Sequence, residues 1–202
     1  MTYKEADCLR ARADFPSLQA SVNGFPVAYL DGPGGTQTAK VVIETISECY
    51  RSCNANFDGK FKTSLAVNAS VQAAREAVAD FLGARDPQSI SFGANMTSLN
   101  FALSHALGRS LQPGDEILIT ALDHEANRGP WQNLQERGAI VREVSVNDDG
   151  EIDISDFSSK LNKRTRIVAI TLASNSLGTV PDFCLLYTSD AADDTPCVDL
   201  GG

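Results

Sequence analysis

The chain has 202 residues, 43% of them hydrophobic, a net charge of −9 at pH 7 and an isoelectric point near 4.6. That apolar content can build a sizeable core, while the negative field disfavours a phosphate backbone, so no nucleic-acid partner is expected. No apolar run approaches the roughly 20 residues of a membrane span, and Met1–Asp7 lacks the apolar stretch of a secretory signal. Five cysteines without framework spacing read as free thiols in a reducing compartment, so a soluble cytoplasmic protein is expected, without a membrane or metal partner.

In chain order, the first ~35 residues, with Pro16, Gly24, Pro26, Gly32, Pro33, Gly34 and Gly35, read as an arm rather than a domain. Lys40 to Arg51 is predicted helical, with Val42, Ile43, Ile46 and Tyr50 near helical spacing. Ser70 to Leu82 is a second helix, capped by Asn68 or Ser70 and ended by Gly83. Ser89–Phe92 reads as a short strand, Gly93–Thr97 as a turn, and Ser98 to Leu107 as an apolar helix. Glu116–Thr120 reads as a buried strand and Asn127–Glu136 as a helix that Gly138 terminates. Ile140–Val146 alternates as a strand, and Asn147–Gly150 is a turn. Asp153 or Ser155 opens a helix over residues 154–161, and Arg166–Ala173 is the strongest strand. Alternating strands and helices predict an α/β fold, with a mostly parallel sheet covered on both faces.

The tail is different. Cys184–Asp193 and Cys197–Gly202 resemble in-frame translations of transposase-type sequencing adapters. From Cys184 onward there is no lysine or arginine and no helical or strand period. Residues 184–202 are therefore expected to be non-native and disordered, with the native protein continuing differently after Phe183.

Three strand ends carry groups suited to chemistry. Gly93-Ala94-Asn95-Met96-Thr97-Ser98 precedes a helix, where small residues, free N–H groups and the helix dipole favour a phosphate. The segment lacks both the Gly-x-Gly-x-x-Gly dinucleotide fingerprint and the P-loop lysine. His124, in a loop after the next strand, is a flat ring that can stack on an aromatic cofactor. Asn175 ends the strongest strand, where its amide can bond a phenolic oxygen, and Gly178 allows a tight turn. Each has a plain alternative: a helix cap, an exposed or capping histidine, a turn asparagine. Their joint location on one sheet edge favours a binding site. His105, inside a helix, reads as structural. Cys49 and Cys53, four apart on a helix face, read as packing cysteines rather than metal ligands.

Taken together, the motifs resemble the first half of the cysteine desulfurase and class V aminotransferase family, a group of pyridoxal-phosphate (PLP) enzymes of fold type I. The likeness lies in Tyr29–Gln37, Asn54–Gly59, Gly93–Leu99, His124–Asn127 and Ser174–Thr179, and covers about residues 14–182. It implies that residues 36–183 are an incomplete PLP-binding large domain. It implies that Asn95, Met96 and Thr97 hold the PLP phosphate, His124 stacks on the pyridine and Asn175 bonds the phenolic oxygen. Gly34 and Gly35 would line the substrate side near the carboxylate. The family's pyridinium-pairing aspartate, Schiff-base lysine and mobile-loop cysteine cannot be assigned in this chain, so the fragment itself is expected to be inactive. A small amino acid is the implied substrate and a homodimer the implied state of the full-length parent. The alternatives are transamination, a nucleotide-binding α/β domain, or a non-enzymatic interaction domain.

Overall fold

The computed structural model describes residues 5–32 and 34–182, so the tail from 184 falls outside it. The chain divides into two compact units at Phe92/Gly93.

The first unit opens with helix α1 (Glu5–Ala13), a 3₁₀ turn at Pro16–Gln19 and a hairpin of β1 (Ser21–Val22) and β2 (Phe25–Pro26). The strands pair antiparallel, Ser21 with Pro26 and Val22 with Phe25. Asn23 and Gly24 make the two-residue loop, both with positive φ (52° and 79°), as a type I′ turn requires. Helix α2 (Lys40–Ser52) has the predicted span, and its apolar positions Val42, Ile43, Ile46 and Tyr50 are all exposed. Helix α3 (Lys62–Leu82) starts eight residues before its predicted start. Its N-cap, Phe61, offers no side-chain acceptor, so the expected signal is missing there. The expected cap Asn68 instead accepts the Asp58 N–H at 3.0 Å. Buried Ser64 accepts from Gly59 N and donates to Asn56 O, both at 2.6 Å, which ties the Asn54–Gly59 segment to the helix. The expected strand at Ser89–Phe92 is not formed. Asp86 caps a 3₁₀ turn over Pro87–Ser89, and residues 90–92 join no ladder among the described residues.

The second unit holds both hydrophobic clusters. Its elements are α4 (Met96–Leu107), β3 (Glu116–Thr120), α5 (Glu125–Gln132), β4 (Ile140–Val144), α6 (Ile154–Lys160) and β5 (Thr165–Val168). The sheet is fully parallel in the order β4-β3-β5, with Glu116 level with both Ile140 and Thr165. All five residues of β3 are buried, as a central parallel strand demands. Alternation along the strands separates two cores. Ile117, Ile119 and Ile167 pack with Trp131 and Leu134, against Leu103 and Leu107 of α4. Leu118 and Val144 pack with Phe157 and Ile154 of α6. Helices therefore cover both faces, as the sequence predicts. The core strands also match closely, although the β5 ladder is shorter than Arg166–Ala173. Among the described residues no helix is long and apolar enough to cross a membrane.

The amino edge of this sheet holds a charged core. Glu116, fully buried, accepts from Arg142 Nε at 2.6 Å, Asn162 Nδ2 at 2.8 Å and Arg164 Nη2 at 2.9 Å. The Arg142 hydrogen bond leads in holding the Glu116 carboxyl below its ordinary range, against its burial. A carboxyl lowered on folding stabilises the protein above its unfolded pKa and loses that contribution as pH falls through the folded value. Glu116→Ala is expected to cost about 2 kcal/mol in urea unfolding at pH 7, the low end for an enclosed carboxylate because both arginines reach solvent. The deficit relative to the parent shrinks as the measurement is repeated at pH values falling from the ordinary glutamate range through the lower folded value of Glu116.

Candidate functional site

Strands β3 and β4 end level at Thr120 and Val144, β5 ends at Val168 beside Leu118, and the loops that follow line an open cavity of about 480 Å³. Its walls are Ala121–Glu125 and Arg128 after β3, Val146 after β4, and Ser174–Leu177 after β5. The crossovers through α5 and α6 lie on opposite faces of the sheet, and β5 returns on the far side of β3 from β4. A crevice outside the carboxyl ends of such strands is where open α/β sheets bind ligands.

His124 is set by local hydrogen bonding. It is the N-cap of α5, and its Nδ1 accepts the Ala126 N–H at 3.0 Å. A neutral ring that accepts at Nδ1 carries its proton on Nε2. The plain capping role weighed for this histidine is therefore real, and it leaves the exposed ring fixed at the cavity wall.

Beneath the ring lies a buried polar layer that the sequence did not reveal. Pro130 sits inside α5, so the Ala126 carbonyl lacks its usual i+4 donor. Asn100 of α4 replaces it, donating from Nδ2 to Ala126 O and to Asn127 Oδ1, both at 2.9 Å. Asn127 Oδ1 also accepts from Trp131 Nε1 at 3.3 Å, and its Nδ2 donates to Asp123 Oδ1 at 2.8 Å. Asp123 completes the chain by accepting the Thr120 hydroxyl. Burial pushes the Asp123 carboxyl above its ordinary value, opposed by the bonds from Thr120 and Asn127. The available signal was a proline at the sixth position of a short helix, which requires an outside donor for the freed carbonyl.

Asn175 is held by a compact turn. Ser174 N donates to Thr179 O and Gly178 N to Ser174 O, both at 2.9 Å. Ser174 Oγ accepts from Leu177 N at 3.1 Å and Ser176 N at 3.3 Å. Gly178 has φ 74°, the left-handed conformation that glycine adopts freely. Asn175 itself is exposed on the cavity.

The structure brings His124 and Asn175 to one cavity, but Asn95, Met96 and Thr97 are not among its walls. They are exposed at the start of α4, where Asn95 Oδ1 accepts from Ser98 N at 2.9 Å. Intrahelical geometry leaves the Met96 and Thr97 N–H groups without helix acceptors. One turn further, Asn100 joins this helix to the first turn of α5, next to His124. Gly34 and Gly35 lie in the first unit, exposed. Gly34 N donates to Asp31 Oδ1 at 3.1 Å, and Gly35, with φ 141°, lines a separate cavity of about 410 Å³ with Arg12, Tyr29 and Asp31. His105 is exposed, edge-on to Phe101, apart from the His124 cavity. Among the described residues no group of acids, cysteines and histidines forms a metal site.

The fold is that of an α/β protein with a cavity, a candidate small-molecule site, at the carboxyl edge of a parallel sheet. The aminotransferase class-V family profile matches residues 28–189, and the chain belongs to that family. It is similar to a cysteine desulfurase of Pectobacterium carotovorum, 40% identical over 172 residues, which are 84% of this chain and 42% of the relative. It is also similar to a probable cysteine desulfurase of Mycolicibacterium paratuberculosis, 40% identical over 86% of this chain and 26% of the relative. Among solved structures, the apo cysteine desulfurase of Thermococcus onnurineus superposes with a TM-score of 0.81 at 28% identity, covering 98% of this chain and 47% of that one. The cysteine desulfurase CsdA of Escherichia coli gives 0.80 at 27% identity, covering 98% and 48%. The chain thus spans under half the length of these relatives. Family members are PLP-dependent enzymes.

The residues present fit such a cofactor. A flat ring, an amide and the Arg128 cation share a cavity within the size range of small-molecule sites, and a helix N-terminus stands on the element tied to it.

Two substitutions test this scaffold by urea unfolding. Asn100→Ala leaves the Ala126 carbonyl unpaired in the interior and removes one of the two donors to Asn127 Oδ1, and is expected to cost about 2 kcal/mol. Gly178→Ala meets no steric obstacle, because nothing lies within 4 Å of the added carbon. Its cost is backbone strain alone, about 1 kcal/mol.

Proposed function

We propose that residues 36–183 are the incomplete cofactor-binding domain of a PLP-dependent enzyme acting on a small amino acid, with cysteine desulfuration ahead of transamination. One observation carries this reading: His124 and Asn175, from the loops after two adjacent parallel strands, line one cavity at the carboxyl edge. The desulfurase relatives and the type I fold support it. The nucleotide-binding alternative has no comparable support, since the glycine fingerprint is missing.

In this proposal each residue has a limited task. Met96 and Thr97 direct backbone N–H groups, with the positive end of the α4 dipole, at the phosphate. Asn95 holds that helix end through its bond to Ser98 N. The His124 ring stacks on the pyridine, oriented by the Ala126 N–H. The Asn175 amide donates to the phenolic oxygen from a turn stiffened by Ser174 and Gly178. Gly34 and Gly35 belong to the substrate side, near its carboxylate. When bound, PLP supplies an electron sink for a bound amino acid. The parent protein is a cytoplasmic homodimer, residues 184–202 are a non-native tail, and this chain binds the cofactor without turning substrate over.

Calorimetric titration of the 202-residue chain with PLP, ATP and NAD tests the reading. PLP is expected to bind and the nucleotides not. His124→Ala weakens PLP binding about tenfold, the worth of one ring stack. Tighter binding of a nucleotide, or an unchanged PLP affinity in His124→Ala, overturns it.

A further inference from the structure

Cys49 and Cys53 lie outside the cofactor cavity, at the end of α2, and the desulfurase reading gives them no role. Their sulfurs are 3.5 Å apart, with the Cys53 thiol donating to Cys49. Cys49 is exposed, whereas Cys53 is 8% exposed. Cys53 is the helix C-cap, with φ −142° and ψ 23°, so its backbone has already left the helical conformation. A disulfide needs the sulfurs at about 2 Å and the β-carbons about 4 Å apart, closer than a regular helix holds residues four apart. The difference can be absorbed at a C-cap by giving up the single Cys53 N–H···O=C Cys49 bond of 2.9 Å. The hydrogen bond shared with Cys53 is the first cause raising the Cys49 thiol above its ordinary range, so the resting pair is a dithiol and the reacting thiolate is its minor form.

We infer that Cys49 and Cys53 form a dithiol modification site for small disulfides. Exposed Cys49, as thiolate, attacks one sulfur of a low-molecular-weight disulfide such as oxidised glutathione. A mixed disulfide forms and one thiolate leaves, taking up a proton. Cys53, deprotonated in its turn, attacks the Cys49 sulfur, forms the Cys49–Cys53 bond and expels the second thiol. Two protein thiols are oxidised and one small disulfide is reduced to two thiols. Product distribution follows from proximity: the second attack is intramolecular, while further adduct formation needs a second molecule. The consequence is local. The bridge remakes the last turn of α2, immediately before the Asn54–Gly59 segment that Ser64 and Asn68 hold to α3.

Trypsin separates the two cysteines, because Arg51 lies between them. The folded chain is incubated with oxidised glutathione, remaining thiols are alkylated, and the digest is analysed by mass spectrometry. The linked pair of peptides 41–51 and 52–60 is expected to exceed either glutathione adduct by about tenfold at millimolar disulfide. Exposed Cys8 carries glutathione in the same sample. In Cys53→Ser the adduct remains on Cys49. The same reaction in denaturant gives the yield for two thiols that are merely close in sequence. A native yield no higher than that, or a stable Cys49 adduct beside a free Cys53 thiol, overturns the inference.

Discussion

The site rests on one carbonyl group. Pro130 gives the short helix α5 a fixed backbone angle but deprives Ala126 O of its helical donor. A buried carbonyl without a partner costs a large fraction of a domain's net stability, so something must reach it. Asn100 does, from the neighbouring helix, and its amide also orients Asn127. From there the hydrogen bonds run to Asp123 and Thr120, the last residue of β3. The loop bearing His124 is thereby fixed to the end of the central strand on one side and to α4 on the other. The helix that would receive a phosphate and the ring that would cover a pyridine share one buried polar layer.

The two ends of the sheet solve different problems with polar groups. At the amino edge, Glu116 is enclosed and satisfied by two arginines and an asparagine, which leaves it closed to ligands. At the carboxyl edge the polar groups are layered. Asp123, Asn127 and Asn100 are buried and paired with one another, while His124 and Asn175 above them are exposed on a cavity. Strand polarity alone does not impose that division. It follows from where the chain spends its buried hydrogen bonds: on fold at one edge, on orienting side chains at the other.

The strongly patterned elements were legible. Glu116–Thr120 and the strand start at Ile140 follow from continuous or alternating apolar runs, and the two-faced core follows from their alternation. The shared cavity position of His124 and Asn175 was legible for a related reason: both follow strand ends, and punctuation such as Gly178 marks those turns. Signals that depend on partners were not. Ser89–Phe92 has strand composition but no partner among the described residues, and composition cannot supply one. The α3 start was hidden because Phe61 offers no capping side chain, and Asn68, which resembles a cap, serves a loop amide instead. The Asn23-Gly24 hairpin was available in the sequence but was absorbed into the reading of residues 1–35 as an arm. The role of Asn100 depends on a contact 26 residues away, which no local pattern encodes.

The exposure of His124 and Asn175 follows from this construction. In the proposed cofactor-binding role these side chains cannot use their outward atoms for internal bonds, so their orientation has to come from elsewhere. His124 takes it from Nδ1, the ring atom that faces its own helix, and the ring stays exposed on the cavity. Asn175 sits on a turn held by backbone bonds and by the Ser174 hydroxyl, with its side chain exposed on the cavity. Ordering two free side chains on binding would consume part of the affinity of a cofactor that offers one ring, one phosphate and a few oxygens. Fixing them beforehand through a histidine cap, a serine-anchored turn and a buried asparagine chain moves that ordering into folding, where the cores on both sides of β3 supply the stabilisation.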